Sequence, residues 1–405
     1  MAEDAARAER RDRPASATEV FRAFLKLGLT SFGGPIAHLG YFRAAFVERR
    51  GWLSDRAFAD LVALAQFLPG PASSQVGFAI GLSRAGWRGG LAAWGGFTLP
   101  SAALMLAFAF GATRFGDIWW GAGLLHGLQL AAVAVVAQAV LGMARTLAPD
   151  PPRAAIAVAT LALLSVISGS LVQLAALIAG GLLGLAFCGA EIAAPSDEFA
   201  CGVSRRAGLV ALAAFFVLLA LSLLPFGQGL ALAAAFYRSG ALVFGGGHVV
   251  LPLLRDAVVA PGWVSDRDFL SGYGAAQALP GPLFTVSAYL GATANASAGA
   301  PAGLMGALVA LVAIFAPGLL ALTGALPFWG ALRRQPRAQA AMRGVNAAVV
   351  GLLGAALYNP LWTSAVTDER DFAVVAVAFT LLVAWLSPPL LVVLFAALAG
   401  ITLAA

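Results

Sequence analysis

FLKLGLTSFGGP at residues 24–35 and FYRSGALVFGGG at residues 236–247 are two copies of one phrase. A second phrase follows each, RGWLSDRAF (50–58) against PGWVSDRDF (261–269), and then a third, AQFLPGP (65–71) against AQALPGP (276–282). The offset is 212 at Phe32 and Phe244, and 211 from Trp52 and Trp263 to the end of the third phrase. Gly-Gly and Pro-Gly-Pro interrupt helices, and here they interrupt apolar segments. In hydrocarbon every backbone N–H and C=O needs a partner, so a break persists only inside protein or beside a water-filled cavity. Interrupted apolar segments at matching places in two halves point to a transporter binding site.

The composition is that of a polytopic membrane protein: 60% hydrophobic and 11% charged residues, with a mean hydropathy of +0.88. A soluble domain carries about 25% charged residues. The 405 residues read as a dozen or so spans of roughly 20 residues. The net charge of +6 comes from 24 Arg and one Lys, Lys26, most of them at loop positions. The N-terminal residues mix arginines and acids without an apolar core, which predicts a cytoplasmic tail over 1–18 and not a signal peptide. Cys188 and Cys201 fit no metal or redox spacing, and three histidines form no credible metal cluster. No metal or cofactor is expected.

Apolar segments are predicted at about 20–46, 57–83, 90–113, 121–146, 153–169 and 171–190, and again at about 230–254, 268–292, 301–327, 338–362, 371–386 and 388–405. Segment 207–225 has no counterpart. The chain therefore divides into the tail, a first transport repeat at 19–190, a linker and connecting helix at 191–229, and a second repeat at 230–405. His126-Gly127-Leu128-Gln129 against Arg343-Gly344-Val345-Asn346 extends the repeat. The expected fold is all-α: two inverted-topology repeats of about six segments each, one connecting helix, and discontinuous or re-entrant helices at the Gly-Gly and Pro-Gly-Pro breaks.

The inversion is read from the arginines, which collect in cytoplasmic loops. With the N-terminus inside, Arg84, Arg88, Arg145, Arg153, Arg205 and Arg206 lie inside, as do Arg333, Arg334, Arg337 and Arg343 of the second half. The counterpart loops become external: 293–300 has no charge, and 363–371 holds three acids to one Arg. Arg49-Arg50 misfits unless the first segment is re-entrant.

A helix that restarts after a mid-membrane break points unsatisfied N–H groups and a positive dipole end inward, which suits an anion. The candidate binding residues are therefore Gly33, Gly34, Pro35, Pro69, Gly70, Pro71, Ser73, Ser74 and Gln75 in the first half. In the second half they are Gly245, Gly246, Pro280, Gly281, Pro282 and Thr285. Lys26 and Arg238 occupy equivalent places six residues before each Phe-Gly-Gly and are candidate counter-charges, with snorkelling to the interface as the alternative. Arg43 and Arg255 are equivalent but nearer the span ends. No carboxylate is predicted at a span centre, which disfavours cationic substrates.

Gln66 and Gln277 read either as gating residues or as interhelical hydrogen-bonding groups. Asp55 and Asp266, in the Trp-x-Ser-Asp-Arg turns, read as helix-cap residues or as parts of a gate or proton coupling. His38 and His248 suit proton coupling or plain packing. An intramembrane enzyme would need paired acids, His-Glu-x-x-His or a nucleophile with a base partner, and none is present. A receptor role lacks an extramembrane domain.

Phe-Gly-Gly-Pro, Gly-Trp-x-Ser-Asp and Gln-x-Leu-Pro-Gly-Pro, in that order and in both halves, resemble the chromate ion transporter family in its long, two-halved form. The match covers nearly the whole chain after the tail. The resemblance implies a multi-pass protein of the bacterial inner membrane that exports chromate, driven by the membrane potential or a proton gradient, and so confers chromate resistance. It also implies that sulfate, a tetrahedral dianion of similar size, competes; a sulfate carrier, working inward, is the alternative. The partners expected are the small oxyanion and the lipid bilayer, not nucleic acid, with a homodimer left open. The second copy departs from the first: Gly247 replaces Pro35, and Phe284-Thr285-Val286 stands against Ser73-Ser74-Gln75. More polar contacts are therefore expected from the first half.

Overall fold

The computed structural model of the chain describes residues 15–32, 34–115, 120–167, 170–189, 199, 202–224, 228–244, 249–294, 299–332 and 335–404. The regular elements among them are helices. The first half contains α1 (Ala17–Thr30), α2 (Gly34–Phe42, prolonged by a π turn over Arg43–Arg49), α3 (Asp55–Phe67), α4 (Ala72–Phe115), α5 (Gly121–Leu147), α6 (Pro151–Val166) and α7 (Ser170–Phe187). The connecting helix is α8 (Arg205–Ser222). The second half contains α9 (Gln228–Ala241), α10 (Val250–Val258), α11 (Asp266–Ala278), α12 (Val286–Ala294, led in by a 3-10 turn at Leu283–Thr285), α13 (Ala300–Ala325), α14 (Pro336–Ala356), α15 (Glu369–Val383) and α16 (Pro389–Ala404).

Side-chain caps start many of these helices: Ser16, Ser54, Asp150, Ser204, Ser265 and Asp368 each accept a first-turn N–H. α4 turns back at Ala85 (φ −143°) and Gly86 (φ 59°, ψ −153°), so it is two arms and not one rod. Gly81 and Gly89 let those arms touch backbone to backbone.

The segments carrying the breaks do not cross from one end to the other. α1 has 14 residues, a rise of about 21 Å at 1.5 Å per residue, short of the roughly 30 Å hydrocarbon core. It returns on itself through α2. Phe24 stacks on Phe46 at 4.7 Å and meets Phe42 edge-on at 5.4 Å. At the hairpin's base, Arg50 reaches Glu19 at 3.5 Å. α3 and the first arm of α4 make a second hairpin on the same base, where Ala15 N–H donates to Arg84 O and Arg50 and Arg84 lie 5.1 and 5.3 Å from the Trp52 ring. In the second half, Gly272 packs on Tyr289, so α11 and α12 also fold back across their break. The predicted spans 20–46, 57–83 and 268–292 are thus re-entrant pairs of half-helices, because each break reverses the chain. Arg49-Arg50 then shares a face with Arg84, which removes the misfit in the arginine pattern.

The halves exchange their closing helices. α16 lies along α5, with Gly123 and Gly127 against Gly400 and Ala396, and α7 lies along α14, with Gly180 and Gly184 against Gly344 and Ala340. Both pairings are antiparallel by residue order. α6 runs parallel to α14, since Ala157 meets Gly351 and Leu161 meets Gly354. α5 and α6 are joined by only residues 148–150. With α6 and α7 opposed, α5 and its counterpart α14 run in opposite directions, as inverted repeats require. One apolar core joins the halves through Leu130, Val133, Phe236, Phe269 and Leu353, and a second lies under α1–α4 around Phe24, Phe42, Phe46 and Phe97.

Five helical stretches among the described residues are long and apolar enough to cross a membrane: 72–111, 121–147, 205–222, 300–332 and 336–365. Shorter apolar helices include Pro151–Val166 and Pro389–Leu403. The chain is a multi-pass membrane protein.

Small residues make the exchanged packing possible. Gly127 and Gly344, 217 apart, each meet the backbone of a closing helix of the other half where a Cβ would collide. Gly127→Val and Gly344→Val are each expected to cost about 1–3 kcal/mol by overpacking. A thermal-unfolding midpoint in detergent should fall for both, whereas Gly142→Val, at a glycine with open space around it, should leave it near wild type.

Candidate functional site

The ends of the broken segments meet in two pairs, each joined across the halves by a backbone hydrogen bond. Pro-Gly-Pro offers one N–H, that of its glycine, because proline has none. Buried, that donor requires an acceptor. Gly70 N–H donates to Val243 O at 2.7 Å, and Gly281 N–H donates to Ser31 O at 2.9 Å. The pairs are equivalent: 70 + 211 = 281 and 31 + 212 = 243. Each Pro-Gly-Pro therefore caps the last carbonyls before the other half's Phe-Gly-Gly. Gly70 (φ +115°) and Gly281 (φ +98°) hold backbone conformations that suit glycine.

Behind each tip stands a long helix with an internal proline, Pro100 in α4 and Pro317 in α13. A Cβ on Gly70 would come 2.6 Å from Gly318 Cα, and one on Gly281 would come 2.7 Å from Ser101 Oγ. Gln75 Nε2 ties the first turn of α4 to Pro69 O (2.8 Å) and Gly318 O (2.9 Å). Thr285 Oγ1 donates to Pro282 O at 2.8 Å. His38, 1% exposed, sets Nε2 3.2 Å from Ser31 O and packs edge-on against Phe97.

These contacts occupy carbonyl ends. The returning helices α2, α4, α10 and α12 start at or beside the tips, so their positive ends converge there. In α4 the first intrahelical bond is Gln75 N–H to Pro71 O; the N–H groups of Ala72, Ser73 and Ser74 precede it and have no intrahelical acceptor. Buried side-chain atoms around the same junction lack a hydrogen-bond partner: Ser31 Oγ, His38 Nδ1, Ser74 Oγ, Gln75 Oε1, Thr98 Oγ1 and Ser287 Oγ. Buried polar groups are nearly always satisfied. A set of hydroxyls and N–H donors beside converging helix starts is chemically fitted to a small anion.

Several sequence-predicted residues meet at the tips: Gly34 (φ +76°), Pro69, Gly70, Pro71, Ser73, Ser74, Gln75, Pro280, Gly281, Pro282, Thr285 and His38. Pro35 follows Gly34 in the first turn of α2. Gly33, Gly245, Gly246, Gly247 and His248 lie outside the described residues. Lys26 is not brought to the tips: it projects from the exposed face of α1, whose buried face carries Val20, Ala23, Phe24, Leu27 and Gly28. Arg238 donates instead to Ser222 O at 2.7 Å, at the end of α8.

Gln66 is exposed, while Gln277 is half-buried. The caps of α3 and α11 are Ser54 and Ser265. Asp55 and Asp266 bind Arg43 and Arg255, respectively, both at 2.8 Å from Nε. These equivalent ion pairs fasten the first hairpin of each half to the second. Asp60 is buried, with Trp329 Nε1 at 3.0 Å from Oδ1.

Sequence reasoning did not single out Ser31, Thr98, Ser101, Ser287, Pro100 or the Pro317-Gly318 pair. The signal was present in Leu99-Pro100-Ser101 against Ala316-Pro317-Gly318, at an offset of 217. It was hidden because the repeat slips by six between Pro-Gly-Pro and these prolines.

Comparison with known proteins identifies the family. The family described as "Chromate transporter" matches residues 18–185 and 230–401. The chain is 30% identical to the "Chromate transport protein" of Pseudomonas aeruginosa, covering 96% of this chain and 92% of that protein. It is 28% identical to the "Probable chromate transport protein" of Synechococcus elongatus, covering 95% of each. The "Chromate transport protein" of Cupriavidus metallidurans is also 28% identical, over 91% of this chain and 89% of that protein. No solved structure matches the chain.

Because a Cβ at Gly70 or Gly281 meets both an unfavourable φ and a blocked space, Gly70→Ala and Gly281→Ala are expected to destabilise the tips by about 1–3 kcal/mol. Gly34→Ala, also at positive φ but with nothing within 4 Å, should cost less. Hydrogen exchange of peptides covering 66–76 and 277–287 checks this: the first two substitutions should raise exchange at both tips at once.

Proposed function

The chain belongs to the chromate transporter family, and on that premise we propose that it exports chromate from the cytoplasm as a secondary active transporter, giving chromate resistance. The observation that carries the site assignment is the reciprocal pairing of Gly70 with Val243 and Gly281 with Ser31. It occupies helix carbonyl ends and leaves helix N–H ends and unpartnered hydroxyls at the junction of the halves. Chromate offers acceptor oxygens around a double negative charge, and the N–H groups at the start of α4 and the serine and threonine hydroxyls at the tips are donors. Alternating access fits inverted repeats, in which the halves rock about a site between them.

In this reading Ala72, Ser73 and Ser74 N–H, Ser74 Oγ and Ser31 Oγ contact the anion. The glycines let the oxyanion approach the backbone. His38, Gln277 and Thr98 complete the polar lining, and Gln75 positions the α4 start by holding Pro69 O and Gly318 O. The exposed Lys26 raises the local concentration of anions without sitting in the site. An inside-negative potential drives a dianion outward by about 4.6 kcal/mol per 100 mV, twice the single-charge value.

Inverted membrane vesicles test the proposal. They should accumulate chromate under an imposed potential, and the flux should fall when the potential or the pH gradient is collapsed separately, according to which one drives it. Ser74→Ala is expected to lower chromate flux about 10- to 100-fold, as the loss of a buried hydrogen bond to a charged group does. Gln75→Leu should lower it similarly by leaving the buried Pro69 and Gly318 carbonyls without this donor and loosening the α4 start. Lys26→Ala should stay within about threefold, as for a surface charge. Equal inhibition by sulfate at chromate's own half-saturating concentration would assign the site to tetrahedral oxyanions at large, and unimpaired flux in Ser74→Ala and Gln75→Leu would remove the tips as the site.

A further inference from the structure

A titratable pair joins the halves well away from the tips. His126, near the start of α5, places Nε2 2.6 Å from Asp371 Oδ1 in the first turn of α15. The Asp371 side chain is 4% exposed and that of His126 is 30% exposed. Asp371 Oδ2 accepts from Thr367 N–H (2.9 Å) and Thr367 Oγ1 (2.7 Å). Asp368 caps the same turn, accepting from Arg370 and Asp371 N–H at 2.9 Å. The carboxylate of Asp371 is thus held in place by its own half and aimed at the other.

The repeat supplies the comparison that gives this pair meaning. His126 corresponds to Arg343 (126 + 217 = 343), and Asp371 corresponds to Arg153 (371 − 218 = 153). Arg343 donates to Gly189 O just past α7, and Arg153 holds Asp150 through Nε at 2.7 Å. At the first place α5 is tied to α15 of the other half by His126, and at the second α14 is tied to the end of α7 by Arg343, the Arg153–Asp150 pair lying within one half. One fastening uses the Arg343 guanidinium, which stays charged at every relevant pH. The other uses an imidazole, which can take up or release a proton.

The ionisable groups on the elements packed against α5 are Asp266, Arg267, Asp268 and Tyr273 of α11, Arg337 and Arg343 of α14, Tyr358 of the turn after α14, and Asp368, Glu369, Arg370 and Asp371 at α15. α16 carries none. Asp371 is the one whose oxygen meets the ring.

We propose that His126 is a proton-binding site that clamps the two halves together where α5 begins. Protonated, it forms an ion pair with Asp371 and holds α15 against α5. Deprotonated, it loses the ion pair and keeps only an N–H bond to the carboxylate, and α15 parts from α5 more readily. With the N-terminus inside, this face is the outer one, so external protons act on the clamp while the Arg343 fastening on the opposite face does not titrate. The role of the clamp in flux rests on the transport reading above; its titration does not.

Hydrogen exchange of the peptide covering 366–375 in the purified chain tests the clamp. After correction for intrinsic exchange, protection in the wild type should fall about tenfold from acid to alkaline pH, as the ion pair gives way to a hydrogen bond that carries a single charge. His126→Arg should hold protection at the acid level throughout, and His126→Gln should hold it at the alkaline level. Flat protection in the wild type overturns the proposal, as does a wild-type pH dependence surviving in His126→Gln, which would move the titration to another group. Chromate flux into proteoliposomes, varied against the pH on the α5-start face, is the second readout, and His126→Arg should flatten its profile. A clamp that titrates in a chain that moves no chromate would defeat the transport reading and leave the clamp standing; flux without titration would defeat the clamp alone.

Discussion

Two backbone N–H groups organise this protein. Pro-Gly-Pro in the middle of a membrane segment leaves its glycine with a donor that no helix of its own can use. Water is scarce there, and an unpaired buried donor costs about 1–3 kcal/mol or more. Gly70 and Gly281 find their acceptors in the opposite half, at Val243 and Ser31. The breaks of each half are therefore stable only against the breaks of the other, and the tips of the re-entrant hairpins are drawn together in two pairs.

That pairing also decides the chemistry of the junction. A helix that ends at a tip presents carbonyls and one that begins there presents N–H groups, so four breaks could have produced a site of either sign. Here the carbonyl side is spoken for: Ser31 and Val243 by the glycines, Pro69 by Gln75, and Pro282 by Thr285. The donors at the start of α4 remain. The halves are unequal in this respect. Gln75 bridges to Gly318 O, whereas Val286 at the matching position has no polar group and the second half restarts through a 3-10 turn.

Much of this was legible in the sequence. The repeated phrases located the tips, the apolar segments located the helices, and α8 was recognisable as the segment without a counterpart. The arginines pointed to inversion, and the one pair that misfitted, Arg49-Arg50, marked the re-entrant hairpin that segment lengths alone concealed. Segments 20–46 and 57–83 are long enough to span, but their breaks reverse the chain, and hydropathy does not distinguish a span from a hairpin of two half-helices. Lys26 and Arg238 misled for a related reason. Equivalent sequence positions share a helix face, but α8 lies beside α9 and has no twin beside α1. The same face is therefore covered in one half and exposed in the other. The partners of the tips on α4 and α13 escaped notice because helix-helix contact is not written in local sequence, and the offset had moved from 211 to 217.

Inversion is the arrangement in which this network closes. Hairpins entering from one face only would lie side by side, their tips pointing the same way and their ending carbonyls stacked beside like carbonyls. Entering from opposite faces, an ending helix of one half meets a restarting helix of the other, and donor is set against acceptor. A single half alone in lipid would strand the Gly70 N–H and would leave the glycine faces of α5 or α14 without the closing helices that fill them. The two halves are thus bound twice, by hydrogen bonds at the tips and by exchanged helices at the periphery.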